Sequence, residues 1–311
     1  MVNQPNQLPS GGFIDLQVNG YAGVDFNSDL ISSDTLHAVC VRLKQDGVAS
    51  FLPTLITASI TTICRRASRL VELRDADPLA RQMIPGLHLE GPFINPSPGF
   101  VGAHPVAHAQ LATLDAAKKM LESASGQVCI VTIAPEQDPY GAVTRWLAEQ
   151  NIIVAAGHTN ASLDDLKRAI DSGLTMFTHL GNGCPAQLAR HDNIIQRVLS
   201  LRDHLWISFI CDGHHVPSVA LGNYLSLVDL NRTIVVTDAI AAAGLGPGIY
   251  QLGDLAVEVT DDGAAWAPGR EHFAGAAVTM RRSCELLDQL GLTSETIRRL
   301  TCDNPQRLLR L

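Results

Sequence analysis

The chain has 311 residues, of which 46% are hydrophobic and 17% are charged, so it is long enough for one large domain and too apolar for a disordered protein. The formal net charge of -8 argues against general nucleic-acid binding, and no apolar run reaches the roughly 18 residues of a membrane span. Seven cysteines are scattered singly, which fits a reducing cytoplasm better than a disulfide scaffold. The polar segment 1–12 is expected to be extended and lacks the basic start of a secretory signal.

Short apolar runs alternate with helical patterns along the chain. The runs are nearly continuous in Val, Ile, Leu, Phe and Ala, as in strands buried on both faces of a parallel sheet. Strands are predicted at residues 13–19, 49–56, 84–90, 128–135, 152–158, 175–180, 205–212 and 233–238. Helices are predicted at residues 34–45, 59–73, 111–123, 138–150, 162–172, 194–202, 217–226, 278–290 and 294–309. Ser162 and Asp165 have the spacing of a capping box.

Eight strands with intervening helices favour a (β/α)8 barrel, an α/β fold of the TIM type. A doubly wound open sheet shows the same alternation. The strand count, and candidate site residues at the ends of several strands, favour the barrel over the open sheet. Residues 244–275 are rich in Gly and Pro and predict a small β excursion after strand eight. Residues 1–311 are thus expected to form a single barrel domain.

Four predicted strands end on a residue that could bind a metal ion or transfer a proton. Glu90 is followed by Gly91-Pro92, a sharp turn that leaves its carboxylate at the barrel mouth. His158 and His179 end consecutive strands, and neighbouring strands lie about 4.8 Å apart, so both imidazoles can reach one ion. Two histidines and a glutamate with an open fourth position are a known catalytic zinc set.

The fourth of these residues is Asp238, at the end of the eighth predicted strand. It could cap the segment that follows, but a carboxylate opposite the ligands fits a general base for the attacking water. His104 lies in a loop rich in Gly and Pro and could donate to a developing oxyanion. One of His214 and His215 could reach the site, whereas His88 is either a barrel-interior residue or a partner of a metal ligand.

Eight short strings match a known family in their order along the chain. They are Phe13 to Gly20, Leu52 to Thr57, His88 to Phe93, Ala156 to Ala161, Thr178 to Leu180, Asp212 to Val216, Val236 to Ala239 and Gly275 to Met280. With these strings the chain resembles the N-acetylglucosamine-6-phosphate deacetylases of the amidohydrolase superfamily. Several strings are short, but their joint order and spacing are specific.

The resemblance implies hydrolysis of N-acetylglucosamine 6-phosphate to glucosamine 6-phosphate and acetate. It implies metal ligands at Glu90, His158 and His179, a general base and acid at Asp238, and a carbonyl-polarising group at His104. The implied substrate contacts are Ala103, Asn182, Gly183, Arg190, His215, Phe273, Ala274 and Gly275. Among these, Arg190 and His215 match groups that hold the sugar phosphate, and in family dimers the arginine comes from the neighbouring subunit.

The sequence departs from the family pattern at three places. Gln17 and Asn19 stand where many amidohydrolases have a His-x-His pair. This resembles the family's single-metal members and implies one divalent ion, Zn²⁺ before Fe²⁺, Co²⁺ or Mn²⁺, with both side chains near its water. The stretch 181–184 differs from the family's Tyr-Asn-Ala-Met, so a galactosamine-type or unphosphorylated N-acetyl amino sugar, or another amide, is an alternative substrate. The β-sandwich that full-length relatives build from both chain ends is expected to be largely missing.

The expected protein is a cytoplasmic, metal-dependent hydrolase acting on a small amino sugar. We expect a homodimer that binds neither nucleic acid nor membrane. A non-catalytic sugar-binding barrel is the hypothesis from another class. The intact ligand set and base argue against it, because a binding protein has no use for Asp238.

Overall fold

The computed structural model describes residues 11–310, so nearly all of the predicted extended segment 1–12 lies outside the described residues. Its strands are β1 (Phe13–Val18), β2 (Gly20–Tyr21), β3 (Val24–Asp25), β4 (Val48–Ile56), β5 (Leu87–Glu90), β6 (Val128–Ile133), β7 (Ile153–Ala156), β8 (Leu174–Phe177), β9 (Trp206–Ile210), β10 (Thr233–Val236), β11 (Gly248–Leu252), β12 (Leu255–Val259) and β13 (Ala265–Trp266). All eight predicted strands are therefore confirmed; most are shorter than predicted, and β4 and β8 begin one residue earlier.

A closed parallel barrel is the centre of the fold. One eight-stranded sheet contains β1 and then β4 to β10 in sequence order, and its neighbouring strands pair in parallel. A parallel bridge between Val18 and Ala239 joins the two ends of the sheet. The chain thus forms the predicted (β/α)8 barrel and not an open sheet, and the carboxyl ends of all eight strands meet at one rim.

Helices cover the outside of the barrel. They are α1 (Ser33–Gln45), α2 (Ile60–Ala76), α3 (Pro78–Met83), α4 (Leu114–Ser123), α5 (Ala142–Glu149), α6 (Leu163–Asp171), α7 (Ile194–Ser200), α8 (Ser218–Leu227), α9 (Met280–Gln289), α10 (Ser294–Arg298) and α11 (Asn304–Leu309). The predicted capping box of Ser162 and Asp165 starts α6. No helix within residues 11–310 is long and apolar enough to cross a membrane.

Two helical details differ from the sequence prediction. Helix α3 was not predicted; Asp77 caps its first turn and Pro78 occupies its first position, where a missing N–H costs nothing. The predicted helix 294–309 is interrupted by a π-helical turn over Arg299–Asp303. Pro305 follows this turn and has no N–H for the carbonyl four residues earlier, so a regular α-helical ladder cannot run through it.

Two apolar layers and a small outer sheet position the rim. Inside the barrel, side chains such as Leu16, Leu52 and Met176 are at most 1% exposed, while a larger cluster packs the helices onto the strands. After β10, strands β11, β12 and β13 form a separate antiparallel sheet, as the predicted β excursion requires. A third cluster containing Ile56, Ile240 and Leu252 packs this sheet against the barrel mouth.

Candidate metal and catalytic centre

The predicted site residues lie at the carboxyl ends of the barrel strands. Glu90 is the last residue of β5, and His158, His179 and Asp238 each stand two residues beyond the end of a strand. These three residues have positive φ angles of 49°, 35° and 51°. Such a left-handed backbone is strained for a residue with a side chain, and it persists where the surroundings over-determine it. The local turn therefore redirects all three side chains at the rim.

Three imidazoles surround the Glu90 carboxylate, which is only 2% exposed. Its Oε1 lies 2.8 Å from Nε2 of His179 and 3.5 Å from Nε2 of His158. Its Oε2 lies 3.7 Å from Nε2 of His104. Burial alone would raise the pKa of Glu90, but the hydrogen bonds and charges of His158 and His179 hold it well below the usual range. The carboxylate is thus ionised and compensated by its neighbours.

His158 is fixed in one orientation. Its Nδ1 lies 2.9 Å from the carbonyl oxygen of Phe100, which can only accept, so Nδ1 carries a proton and Nε2 faces Glu90. Side chains at Gly102 and Gly183 would bring a Cβ to 3.1 Å and 3.2 Å from His158 atoms, so both glycines leave room for the histidine. Burial lowers the pKa of His158, but the adjacent Glu90 carboxylate outweighs this effect and raises it.

His104 presents an N–H group to the site. The backbone N–H of Thr57 donates to its Nδ1 at 3.3 Å, and the Thr57 hydroxyl lies 2.8 Å from the same nitrogen. Because Nδ1 accepts, the proton of the neutral ring is assigned to Nε2. Burial, reinforced by the charge of His158, lowers the pKa of His104 to about 3. The side chain is therefore a neutral hydrogen-bond donor at physiological pH.

Potential ligands for a divalent ion are assembled at this position. Ligand atoms of Glu90, His104 and His158 all lie within 4.8 Å of one another. The set predicted from the sequence has His179 in place of His104. His179 is the candidate third ligand because its Nε2 lies 2.8 Å from Oε1 of Glu90. One buried carboxylate with two imidazole nitrogens is a donor set that suits zinc and its neighbours.

His179 is held by its backbone. Its N–H donates to the Ser208 hydroxyl at 2.8 Å, and its Nε2 approaches Glu90 as described above. Its Nδ1 is buried and has no hydrogen-bond partner among the described residues, and the same is true of Oδ1 of Asn19. Buried polar atoms without partners at one rim indicate that a bound group or water completes the site.

Asp238 is connected to the candidate metal ligands through Gln17. Oδ1 of Asp238 accepts from the amides of Asn19 at 2.7 Å and of Gln17 at 3.1 Å. The Gln17 amide also donates to Glu90 Oε1 at 3.0 Å, and its own oxygen accepts from the Thr178 hydroxyl at 2.7 Å. Burial, with a contribution from the Glu90 charge, raises the pKa of Asp238 to about 6. A carboxylate with a pKa near neutrality suits proton transfer.

The predicted sugar contacts His215 and Phe273 form a second group. Nδ1 of His215 lies 2.6 Å from the Asp212 carboxylate, and the His215 ring lies 5.0 Å from that of Phe273. Burial opposes the charge of His215, but Asp212 outweighs it and raises the pKa of the imidazole. His214 instead approaches the carbonyl oxygen of Asp262 at 3.0 Å. Asp212 therefore favours the charged form of His215, which lies beside an aromatic ring.

The remaining predicted contacts differ in burial. Ala274 is fully buried, and Gly275 has a φ of 61° with Ile240 so close that an added Cβ would clash at 2.3 Å. The backbone N–H of Asn182 donates to the carbonyl oxygen of His179 at 2.9 Å. Arg190 is exposed and makes no hydrogen bond or ion pair with any residue in the range 11–310. The structure thus brings Asn182 and Gly183 to the rim but not Arg190.

Sequence reasoning missed the residues that hold the site in place. Thr57 and Asp212 lie inside the strings that carried the resemblance and could have been singled out, whereas Phe100 and Ser208 had no sequence signal. His88 is the barrel-interior alternative: Nδ1 contacts the Leu16 carbonyl at 3.0 Å and Nε2 contacts Thr132 Oγ1 at 2.7 Å. Burial lowers its pKa to about 4, so it is neutral.

Comparisons with known proteins find relatives of the chain, although no family model matches it. The chain is 33% identical over 310 residues to N-acetylglucosamine-6-phosphate deacetylase from Bos taurus, which covers 96% of this chain and 74% of that protein. It is 28% identical to N-acetylgalactosamine-6-phosphate deacetylase from Escherichia coli O157:H7, covering 97% and 78%.

A solved structure shows the same fold. It is a variant of N-acetyl-D-glucosamine-6-phosphate deacetylase from Mycobacterium smegmatis in complex with N-acetyl-D-glucosamine-6-phosphate, with a TM-score of 0.86 and 30% identity. The match covers 97% of this chain and 77% of that one. The chain therefore spans about three quarters of the length of the proteins that it matches.

Proposed function

The chain belongs to the N-acetylglucosamine-6-phosphate deacetylase family, and we propose on this premise that it hydrolyses the acetamide of N-acetylglucosamine 6-phosphate. Water is consumed, the linear amide C–N bond is broken, and glucosamine 6-phosphate and acetate are released. The observation that carries the proposal is the buried Glu90 carboxylate, surrounded by three imidazoles and linked through Gln17 to Asp238.

Glu90, His158 and His179 are the proposed ligands of one divalent ion. The 2.8 Å and 3.5 Å approaches of the two imidazoles to the carboxylate support this set. Zn²⁺ is the first choice for two nitrogens and a carboxylate, and Fe²⁺, Co²⁺ or Mn²⁺ suit the same donors. When bound, such an ion polarises the amide carbonyl and acidifies a water molecule.

Asp238 is the proposed general base and acid. The amides of Gln17 and Asn19 both donate to Oδ1, which leaves Oδ2 to take the proton from the attacking water. The water oxygen bonds to the acyl carbon, and the proton then passes from Asp238 to the amine nitrogen as the C–N bond breaks. Gln17 and Asn19 fix the angle at which this carboxylate meets both atoms.

His104 is the proposed donor to the acyl oxygen. Its Nε2–H is available because Thr57 occupies Nδ1. Since burial lowers the pKa of His104 to about 3, the ring is neutral and donates as a neutral group. A preorganised donor of this kind stabilises the negative charge that develops on the oxygen in the transition state.

The sugar phosphate is proposed to bind at His215 and Arg190, with Asn182, Gly183, Ala103 and the loop Phe273, Ala274 and Gly275 around the sugar. The Asp212 carboxylate, which raises the pKa of His215, supports this assignment. An exposed arginine without a partner in the described chain also fits a homodimer in which it completes the neighbouring site. The free state of every cysteine in the described residues supports a cytoplasmic location.

One substrate screen tests the proposed function. Acetate release is measured with the N-acetyl derivatives of glucosamine and galactosamine, each with and without a 6-phosphate, before and after chelation and metal restoration. We expect the fastest release from N-acetylglucosamine 6-phosphate and no release after chelation. Faster release from the galactosamine epimer would assign the second candidate, which the altered stretch 181–184 favours. Binding without release from any sugar would overturn the hydrolase and support the sugar-binding barrel.

A further inference from the structure

A cavity of about 480 Å³ opens beside His104. It lies between the beginning of α2, the loop that carries His104, and the turn between β11 and β12. Its volume is within the range of roughly 300–1,000 Å³ that small-molecule pockets have in proteins. The methyl group of an acetamide would fill only a small part of this space.

The cavity meets the catalytic centre at one point. Of the site residues predicted from the sequence, Ala103 and His104 line it, and none of the others does so among the described residues. His104 is the proposed donor to the acyl oxygen, whereas the proposed sugar contacts at His215 and Gly183 lie elsewhere on the rim. Apart from Ala103, which precedes His104 in the chain, the proposed sugar contacts do not line the cavity, so it lies on the His104 side of the site.

The walls of the cavity are of two kinds. Ile56, Leu252, Leu255 and Ala103 all belong to the cluster that packs the outer sheet against the barrel mouth, and they form an apolar wall. Arg65 and Arg66 also line the cavity and pair with Asp29 at 2.6 Å and 3.1 Å, and Asp254 lines it as well. Because each arginine already has a carboxylate partner, the apolar wall is the surface that an uncharged chain can cover.

We propose that this cavity is an acyl subsite through which the enzyme hydrolyses N-acyl groups longer than acetyl, namely unbranched aliphatic chains. The proposal rests on the proposed function. An amide carbonyl carbon bears the nitrogen and one further substituent. With the nitrogen directed to the sugar and the oxygen to His104, that substituent is left to enter the cavity.

The chemistry of the step does not change with the acyl chain. Water adds its oxygen to the acyl carbon, the C–N bond breaks, and a proton passes to the amine. Glucosamine 6-phosphate is released in every case, accompanied by propionate or butyrate in place of acetate. The longer chain contributes binding energy only through the apolar wall at Ile56, Leu252 and Leu255.

The test compares N-acetyl, N-propionyl, N-butyryl and N-hexanoyl glucosamine 6-phosphate by release of the free amine from the metal-loaded protein. We expect kcat/KM for the butyryl compound within about tenfold of that for acetyl, since each methylene that finds an apolar pocket contributes and does not clash. A drop beyond about 100-fold for butyryl, with acetyl still turned over, would overturn the acyl subsite alone. Failure of every compound, acetyl included, would instead overturn the proposed function.

A variant that fills the cavity makes the test specific. Leu255→Trp should lower the butyryl-to-acetyl ratio of kcat/KM by at least about tenfold. The matched control is Ile249→Trp, which places the same ring on the outer sheet at a position that is 76% exposed and outside the cavity. This control should leave the ratio unchanged.

The remaining outcomes also decide the proposal. If Leu255→Trp does not fold, Thr62→Phe on the opposite wall takes its place. A ratio that neither variant changes would show that the acyl chain does not enter the cavity. An equal rise in KM for every acyl chain would show that the cavity holds the sugar phosphate. Either result would overturn the acyl subsite.

Discussion

The barrel rim and the stretch 181–193 are both expected to contact the substrate, yet they are built in different ways. At the rim, Glu90, His104, His158, His179 and Asp238 are each less than 10% exposed, and side-chain or backbone hydrogen bonds fix their orientation. The other stretch contains neither helix nor strand, and Arg190 is exposed and makes no hydrogen bond or ion pair with the described residues. The reacting groups are therefore preorganised, whereas recognition of the sugar end depends on what binds there.

The largest expected effect comes from Asp238, the proposed base at the rim. Asp238→Asn keeps an acceptor for Asn19 but cannot take a proton, so kcat should fall about 10³-fold or more. Acetate release and metal content are measured on the same sample, and the metal content should be unchanged. Turnover close to that of the unmodified protein would remove Asp238 from the role of base.

The His104 donor should have the next largest effect. In His104→Gln, Thr57 no longer orients a neutral imidazole N–H toward the acyl oxygen. We therefore expect kcat to fall about 100-fold, as when one oxyanion donor is lost. His204→Gln, an exposed histidine after α7, is the matched control and should show full activity. A loss of metal from the His104 variant would identify it as a ligand and contradict the tautomer assignment.

The sugar end should respond with a change in KM only. Removal of a charged hydrogen-bond donor through Arg190→Ala should raise KM for the phosphorylated substrate about tenfold, with kcat nearly unchanged. The unphosphorylated sugar serves as the internal control and should show no change. An equal effect on both sugars would place Arg190 away from the phosphate.

The pH dependence of the free energy of unfolding tests whether the ionised Asp238 carboxylate destabilises the folded state. The folded pKa of Asp238 is raised from 3.8 to about 6, so the folded state holds this proton more tightly and loses stability as pH rises through this window. In metal-free protein, the free energy of unfolding of Asp238→Asn, taken relative to that of the unmodified chain, should therefore rise by about 1 kcal/mol from pH 5 to pH 7.5. Urea unfolding at the two pH values measures the difference, and a constant difference would contradict the raised pKa.

Much of the rim was predictable because local sequence determines where the strands end. A continuous apolar run followed by a polar residue located His158 and Asp238, and Gly91-Pro92 marked the turn after Glu90. The supporting contacts were not predictable, because they join residues far apart in the chain. Phe100 holds His158 from 58 positions away, and Ser208 holds His179 from 29. Neither spacing follows from a local pattern.

The left-handed backbone at His158 and His179 has a consequence for laboratory evolution. Histidine in this conformation costs about 1–2 kcal/mol, whereas glycine and asparagine adopt it readily. Libraries ranked by heat resistance alone would therefore reward exchanges at these two positions, and each winning clone would have lost an imidazole of the centre. Selection for a more heat-stable enzyme from this chain therefore requires that stability and turnover be measured together.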